Sequence, residues 1–140
     1  MQGRILACLA TGLCALAAPA LAHHSFAMYD REREITIAGT VHDFQWTNPH
    51  AWIDVDVPNA TGGADKWGIE LNSPNNLSRQ GWRSSLMKPG DKVAVVLNPL
   101  RNGAHGGLFL QVTLSDGKVL ADRFLTRSSA PTAPAASGTR

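Results

Sequence analysis

The chain has 140 residues, of which 44% are hydrophobic and 17% charged, with 13 Lys and Arg against 11 Asp and Glu. This length allows one small domain with its own core. The charges nearly balance and are interspersed along the chain, which excludes the strongly basic surface that binds nucleic acids or anionic membranes. We therefore expect no nucleic-acid partner.

The first 22 residues have the organisation of a secretory signal peptide. Arg4 gives a weakly positive start, an apolar run covers 5–18, and Ala20-Leu21-Ala22 has the small residues that precede a cleavage site. The apolar run is shorter than the about 20 residues that a spanning helix needs, so we expect no transmembrane segment after cleavage. Cleavage after Ala22 predicts a periplasmic or secreted protein that begins at His23.

Both cysteines, Cys8 and Cys14, lie within the predicted signal peptide. Lipidation at Cys14 is the weaker alternative, because the residues before it, Thr11-Gly12-Leu13, fit the lipoprotein pattern poorly. After simple cleavage the mature chain has no cysteine, which excludes a disulfide, thiol catalysis and thiolate metal ligands.

Most of the mature chain is predicted to form β-strands. The alternation is clearest in 51–57, where isoleucine and valine occupy one face and leave Trp52 on the polar face beside two aspartates. Turn-forming residues separate the segments, and Ser115-Asp116-Gly117 predicts a hairpin. The predicted strands are 34–41, 51–57, 66–71, 92–97, 108–114 and 118–124.

One interval is predicted to be helical. Ser73 is suited to the N-cap and Pro74 to the first helical position, and Gly81 follows about two turns later, where it would end the helix. The order of elements predicts a mainly β fold, a small OB-like barrel of five to six strands with one short helix between strands 3 and 4. A small β-sandwich is the alternative.

The mature chain is predicted to form a single domain. It spans 23–126, a barrel with an N-terminal arm, after the signal peptide 1–22. The remaining residues, 127–140, are rich in Pro, Ala and Ser and lack large apolar side chains. Such a segment buries too little surface to offset the entropy of ordering, so we expect a disordered tail.

Six short segments occur in an order and spacing similar to those of a known family. They are His23-His24-Ser25-Phe26, Gly39-Thr40-Val41, Trp46-Thr47-Asn48-Pro49-His50, Glu70-Leu71-Asn72-Ser73-Pro74, Gly81-Trp82 and Leu86-Met87-Lys88-Pro89-Gly90-Asp91. In combination they resemble an uncharacterised family of short exported bacterial proteins, family 6152 of the domains of unknown function. The resemblance covers nearly the whole mature chain except the tail. It implies a periplasmic protein with one small β domain, and no activity, substrate or catalytic residue.

The predicted mature amino terminus is a candidate metal site. A free α-amine and an imidazole both shed a proton near neutral pH, and His23 would offer both in one chelate ring. Nitrogen ligands suit Cu(II), Ni(II) and Zn(II), with copper favoured by the Irving–Williams order. His24 is also a candidate, although adjacent side chains in an extended segment point in opposite directions.

His50 is the best candidate for a third nitrogen ligand. It follows Asn48-Pro49, a rigid turn, and immediately precedes a predicted strand. Together with His23 it would form a site that resembles the histidine brace of periplasmic copper proteins in donor type only. Further donors are a thioether or a carboxylate, from Met28, Glu70 or Asp54. His42 and His105 are expected to be surface or loop residues.

A binding module without a metal is the alternative function. Aromatic residues on the strand 2–3 face of OB-type barrels bind sugars or stack on bases, and Trp52 is the tryptophan predicted to lie on that outer face. Trp46, Trp67 and Trp82 are expected to fill the barrel and its helical plug. The ligand would then be a small molecule, a glycan or a peptide. The chain lacks the nucleophile elbow and the His-Glu-x-x-His motif, so we expect no enzymatic activity.

Overall fold

A computed structural model describes residues 26–125. The predicted signal peptide, His23, His24 and the predicted tail lie outside the described residues. The described residues begin with a short 3-10 turn, Phe26–Met28, and include the α-helix α1 (Pro74–Ser78). Its strands are β1 (Ile35–Gln45), β2 (Trp52–Pro58), β3 (Ala64–Glu70), β4 (Lys92–Pro99), β5 (Gly106–Leu114) and β6 (Val119–Ala121).

The strands form one sheet that closes on itself. Their order is β3-β2-β1-β4-β5-β6, and each of these neighbouring pairs is antiparallel. A short parallel pairing of Gly68–Glu70 in β3 with 106–108 in β5 closes the five-stranded barrel, and β6 adds a strand to β5. This is the closed connectivity of an OB-like barrel, so the predicted fold is confirmed. The β-sandwich alternative is wrong, because a sandwich needs two separate sheets.

The helix between β3 and β4 begins as its sequence predicts. Ser73 is the N-cap, where its side chain accepts a hydrogen bond from the backbone N–H of Asn76, and Pro74 follows at the first helical position. The helix ends at Ser78, earlier than the predicted two turns, and Gly81 continues the chain at a φ of 88°. Leu77 is fully buried in the barrel core, so this short helix anchors the connection across the barrel.

The core confirms the alternation in β2. Ile53 and Val55 are fully buried, whereas the neighbouring Trp52 lies on the outer face and is only half-buried. Trp82 fills the interior, with its ring edge-on to Phe109 at 5.3 Å. The sequence predicts that Trp46 and Trp67 also fill the barrel, and this prediction is wrong in degree. Both side chains are only partly buried and pack against the margin of the core.

A second apolar cluster covers the outer face of β5. Its buried members are Tyr29, Leu108, Leu110 and Leu125. Tyr29 comes from the arm before β1, which is held to the end of β4 by hydrogen bonds from Asp30 N–H to the Pro99 carbonyl (2.8 Å) and from Arg101 N–H to the Met28 carbonyl (2.9 Å). Because the arm lies there, the first half of β5 is buried on both faces.

The end of the described chain turns away from the sheet earlier than predicted. The sequence predicts the sixth strand over 118–124, but β6 ends at Ala121. The buried carboxylate of Asp122 accepts a hydrogen bond from Phe124 N–H at 2.9 Å, as a helix cap does, and this competes with a continued strand. Between residues 26 and 125 no helix has the length and apolarity needed to cross a membrane.

Candidate functional site

His50 lies where the connection from β1 enters β2. The preceding Asn48–Pro49 peptide is cis. Directly after His50, Ala51 extends the pairing of β2 with β3: its N–H donates to the Asn72 carbonyl at 3.1 Å, and its carbonyl accepts from Leu71 N–H at 2.9 Å. The ladder therefore fixes the backbone on the strand side of His50.

Glu70 is a buried carboxylate on the outer face of the barrel. It is the last residue of β3 and lies directly opposite Trp52 in the register, so the two side chains share a face. Trp52 is partly exposed, yet Glu70 has only 5% of its surface accessible, because the Tyr29 cluster covers this part of the wall. A buried carboxylate is costly unless hydrogen bonds compensate it.

Both carboxylate oxygens of Glu70 have a hydrogen-bond partner. The Tyr29 hydroxyl donates to Oε2, and Nδ1 of His50 pairs with Oε1. The His50 side chain is 24% exposed against 7% for Glu70, so the imidazole lies between the carboxylate and the surface. Burial raises the pKa of the Tyr29 hydroxyl above its usual range, and the hydrogen bond to Glu70 and its charge add to this effect.

The contact with Glu70 selects the tautomer of a neutral His50. A carboxylate accepts hydrogen bonds, so Nδ1 carries the proton of the neutral ring and donates a hydrogen bond to Glu70. The lone pair of the ring is then on Nε2. Metal-binding histidines commonly have this arrangement, in which a carboxylate orients the ring and increases its basicity.

A small cavity adjoins the His50–Glu70 pair. Its volume is about 40 Å³, and it is lined by Phe26, His50, Glu70, Leu71, Asn72, Leu108 and Leu125. Phe26 is the first described residue of the arm and follows His23 by three positions. Arm and barrel wall therefore meet at His50.

The described residues contribute His50 and Glu70 to a site but do not complete one. No group of three His, Cys, Asp or Glu in 26–125 has an arrangement that would hold a metal ion. Asp54, named as a possible donor, forms an ion pair with Lys66 at 3.0 Å. Met28 is 54% exposed on the arm. The predicted ligands His23 and His24 lie outside the described residues.

The other two histidines among residues 26–125 lie at the surface, as predicted. His42 forms a pair with Asp56, with 3.0 Å between Nδ1 and Oδ2, and its side chain is 50% exposed. His105 stacks on Trp67, with ring centroids 5.0 Å apart, and its Nε2 is 3.9 Å from a carboxylate oxygen of Asp65. His50 differs from both because its carboxylate partner, Glu70, is buried.

Sequence reasoning missed the role of Tyr29 and named Glu70 only as a possible ligand. Glu70 follows the alternation of β3 in a phase that faces outward, which is typical of a solvated side chain. Tyr29 is 41 positions away, and only the path of the arm brings it to Glu70. The one available signal was the chain's single tyrosine, which follows His24 by five positions.

Most of the chain matches one known protein family. The model of the family of unknown function DUF6152 matches residues 10–111. The chain belongs to this family. The resemblance expected from the six sequence segments is thereby confirmed. No curated protein matches this DUF6152 chain.

Several solved structures share the general fold. Three crystal forms or preparations of Rim1, the mitochondrial single-stranded DNA binding protein of S. cerevisiae, align at a TM-score of 0.46 with 9–12% identity. The alignments cover 59% of this chain and 92–93% of the Rim1 chains. At this distance the likeness carries no information about what the DUF6152 chain binds.

Proposed function

We propose that this chain is an exported protein that binds Cu(II) at the amino terminus created by cleavage after Ala22. The α-amine and imidazole of His23 would supply two nitrogen ligands, and Nε2 of His50 the third. This donor set favours copper among the available divalent ions. The near balance of charge supports a metal ion rather than a nucleic acid as the partner.

The observation that carries the proposal is the shared cavity of Phe26 and His50. Two residues lie between His23 and Phe26, and an extended chain spans at most about 3.3–3.6 Å per residue, so a segment of this length reaches at most about 11 Å from Phe26. An arm of that length needs no rearrangement of the barrel to bring an amino-terminal ligand to His50. His24 would serve less well, because adjacent side chains in an extended segment point in opposite directions.

The carboxylate beside His50 is buried, whereas those beside His42 and His105 are exposed. The carboxylate of Glu70 orients the imidazole and selects the Nδ1–H tautomer, in surroundings from which water is largely excluded. A histidine prepared in this way loses little entropy when it binds a metal. With no catalytic motif in the chain, we assign the site to copper binding and delivery.

The proposal is tested by Cu(II) titration of the protein that begins at His23. A matched form with one alanine ahead of His23 retains every side chain but moves the α-amine away from its imidazole. We expect one tightly bound Cu(II) in the first form and a large loss of affinity in the second. His50→Ala should cause a similar loss, whereas the control His42→Ala should bind as the unmodified protein does.

Two results would contradict this function. One is equally weak Cu(II) binding by the His23 form and its alanine-extended counterpart. The other is an unchanged affinity in His50→Ala, which would place the third ligand elsewhere. Sequencing the amino terminus of the protein recovered from the exported fraction tests the cleavage separately, because a start before His23 separates the α-amine from the His23 imidazole.

A further inference from the structure

We propose that the buried Tyr29–Glu70 pair makes the site selective for Cu(II) over Cu(I). This inference rests on the proposed function, since it concerns the same His50 ligand. Glu70 and Tyr29 would act as positioning residues: neither is assigned as a ligand, and each acts through the residue that it contacts.

The selectivity follows from charge in a poorly solvated place. Glu70 is 5% exposed and its Oε1 contacts the imidazole of His50. The carboxylate attracts any metal ion bound on the other side of the ring. Because Coulomb energy scales with charge, this attraction is twice as large for Cu(II) as for Cu(I) at the same position. Burial of Glu70 reduces the screening of this attraction by solvent and salt.

Tyr29 keeps the carboxylate in its functional orientation. Its hydroxyl donates a hydrogen bond to Oε2, so Oε1 is the oxygen directed at His50. Tyr29 is also part of the arm, three positions after Phe26, and its backbone neighbour Asp30 is bonded to the end of β4. Glu70 therefore joins the barrel ligand to the arm that would carry His23, and loss of the Tyr29 hydroxyl should weaken the effect of Glu70.

The chain offers its own control for the importance of burial. His42 and Asp56 form a similar contact between Nδ1 and a carboxylate, but their side chains are 50% and 39% exposed. Water screens such an exposed pair, so it contributes little. Asp56→Asn removes the same charge as Glu70→Gln from the same outer face of the barrel without changing His50.

The experiment compares Glu70→Gln, Tyr29→Phe and Asp56→Asn in the protein that begins at His23. Cu(II) and Cu(I) affinities are measured by competition with chelators specific for each ion, and the copper reduction potential is measured directly. We expect Glu70→Gln to weaken Cu(II) binding by roughly 10–100-fold, the usual effect of losing an outer-shell partner. Cu(I) affinity should change much less. A tenfold selective loss corresponds to a rise in potential of about 59 mV.

The conservative variant keeps the test decisive if Glu70→Gln folds poorly. Tyr29→Phe should raise the potential in the same direction by a smaller amount, and Asp56→Asn should leave it unchanged. Equal weakening of Cu(II) and Cu(I) binding in Glu70→Gln or Tyr29→Phe would overturn the inference, because a purely structural role predicts that result. An unchanged potential in both variants would also overturn it. These outcomes leave the copper-binding proposal intact, because that proposal is tested separately by the alanine-extended form and by His50→Ala.

Discussion

The hydroxyl of Tyr29 donates a hydrogen bond to the buried carboxylate of Glu70, which lies 41 positions later in the chain. Both residues have less than a tenth of their surface exposed. This bond joins the arm before β1 to the end of β3 across the outer face of the barrel. It stabilises the fold and fixes the carboxylate that contacts His50.

Removing the Tyr29 hydroxyl should destabilise the protein measurably. Tyr29→Phe retains the ring in its cluster but leaves Oε2 of Glu70 without its donor, and an unsatisfied buried acceptor costs about 1–3 kcal/mol. Urea unfolding would measure this loss. Thr61→Val is a suitable control, because it removes a hydroxyl that bonds Asn59 at 2.8 Å in an exposed turn; we expect its free energy of unfolding to change by less than about 0.5 kcal/mol. Equal effects of the two substitutions would contradict the role of burial.

The Tyr29 hydroxyl also predicts a loss of stability in alkaline solution. Its pKa is raised in the folded state, so folding favours the neutral phenol. The resulting stabilisation is fully present below the unfolded pKa of about 10 and is lost as pH rises from there through the higher folded pKa. The free energy of unfolding of the parent protein should therefore fall more steeply than that of Tyr29→Phe in this range.

Ultraviolet titration gives an independent measurement of that shift. Tyr29 is the only tyrosine of the chain, so the phenolate absorbance reports on it alone. We expect ionisation of the folded protein to be delayed to a higher pH than in urea. Coincident titration curves for the folded and unfolded protein would contradict a buried hydroxyl bonded to Glu70.

The barrel was predictable because its strands have one buried and one exposed face. In β2 the alternation alone assigns Ile53 and Val55 to the core and Trp52 to the outer face. Ser73 and Pro74 likewise encode the start of α1 locally, since an N-cap needs only its own neighbours. These features depend on residues that are close in sequence.

The buried part of the site was not predictable for the opposite reason. The outward phase of Glu70 in β3 indicates solvent, and only the arm, anchored through Asp30 to Pro99, converts that position into an interior one. The same cover buries Leu108 and Leu110, which lie on the face of β5 that a simple barrel would expose. Contacts of such long range leave no periodic signal in a single sequence.

Because β4 and β5 approach each other closely at Gly107, we expect that a side chain is not tolerated at this position. A Cβ atom there would lie 2.4 Å from the carbonyl oxygen of Asn98 and 2.4 Å from a methyl group of Leu97. Because one of these atoms belongs to the backbone, the strand pair itself must shift. Gly107→Ala should lower the free energy of unfolding by at least about 1–3 kcal/mol, the usual cost of overpacking.

A second glycine provides the comparison for Gly107. At Gly63 the nearest atom to an added Cβ is Oδ1 of Asn59 at 3.6 Å, an ordinary contact. Gly63→Ala should therefore be tolerated far better in the same urea unfolding experiment. A Gly107→Ala protein as stable as Gly63→Ala would contradict the pairing of Gly107 with Pro99 in the β4–β5 register.

The short α1 helix should owe its place in the fold to Leu77. A helix of one to two turns is not stable by itself in water, so its position depends on packing. Leu77 is fully buried with the barrel core, and Leu77→Ala should cost about 2–5 kcal/mol through lost burial and the cavity left behind. Val119→Ala is the control, because that side chain is 53% exposed on β6. If thermal unfolding showed similar small losses for both variants, the helix would not anchor the connection from β3 to β4.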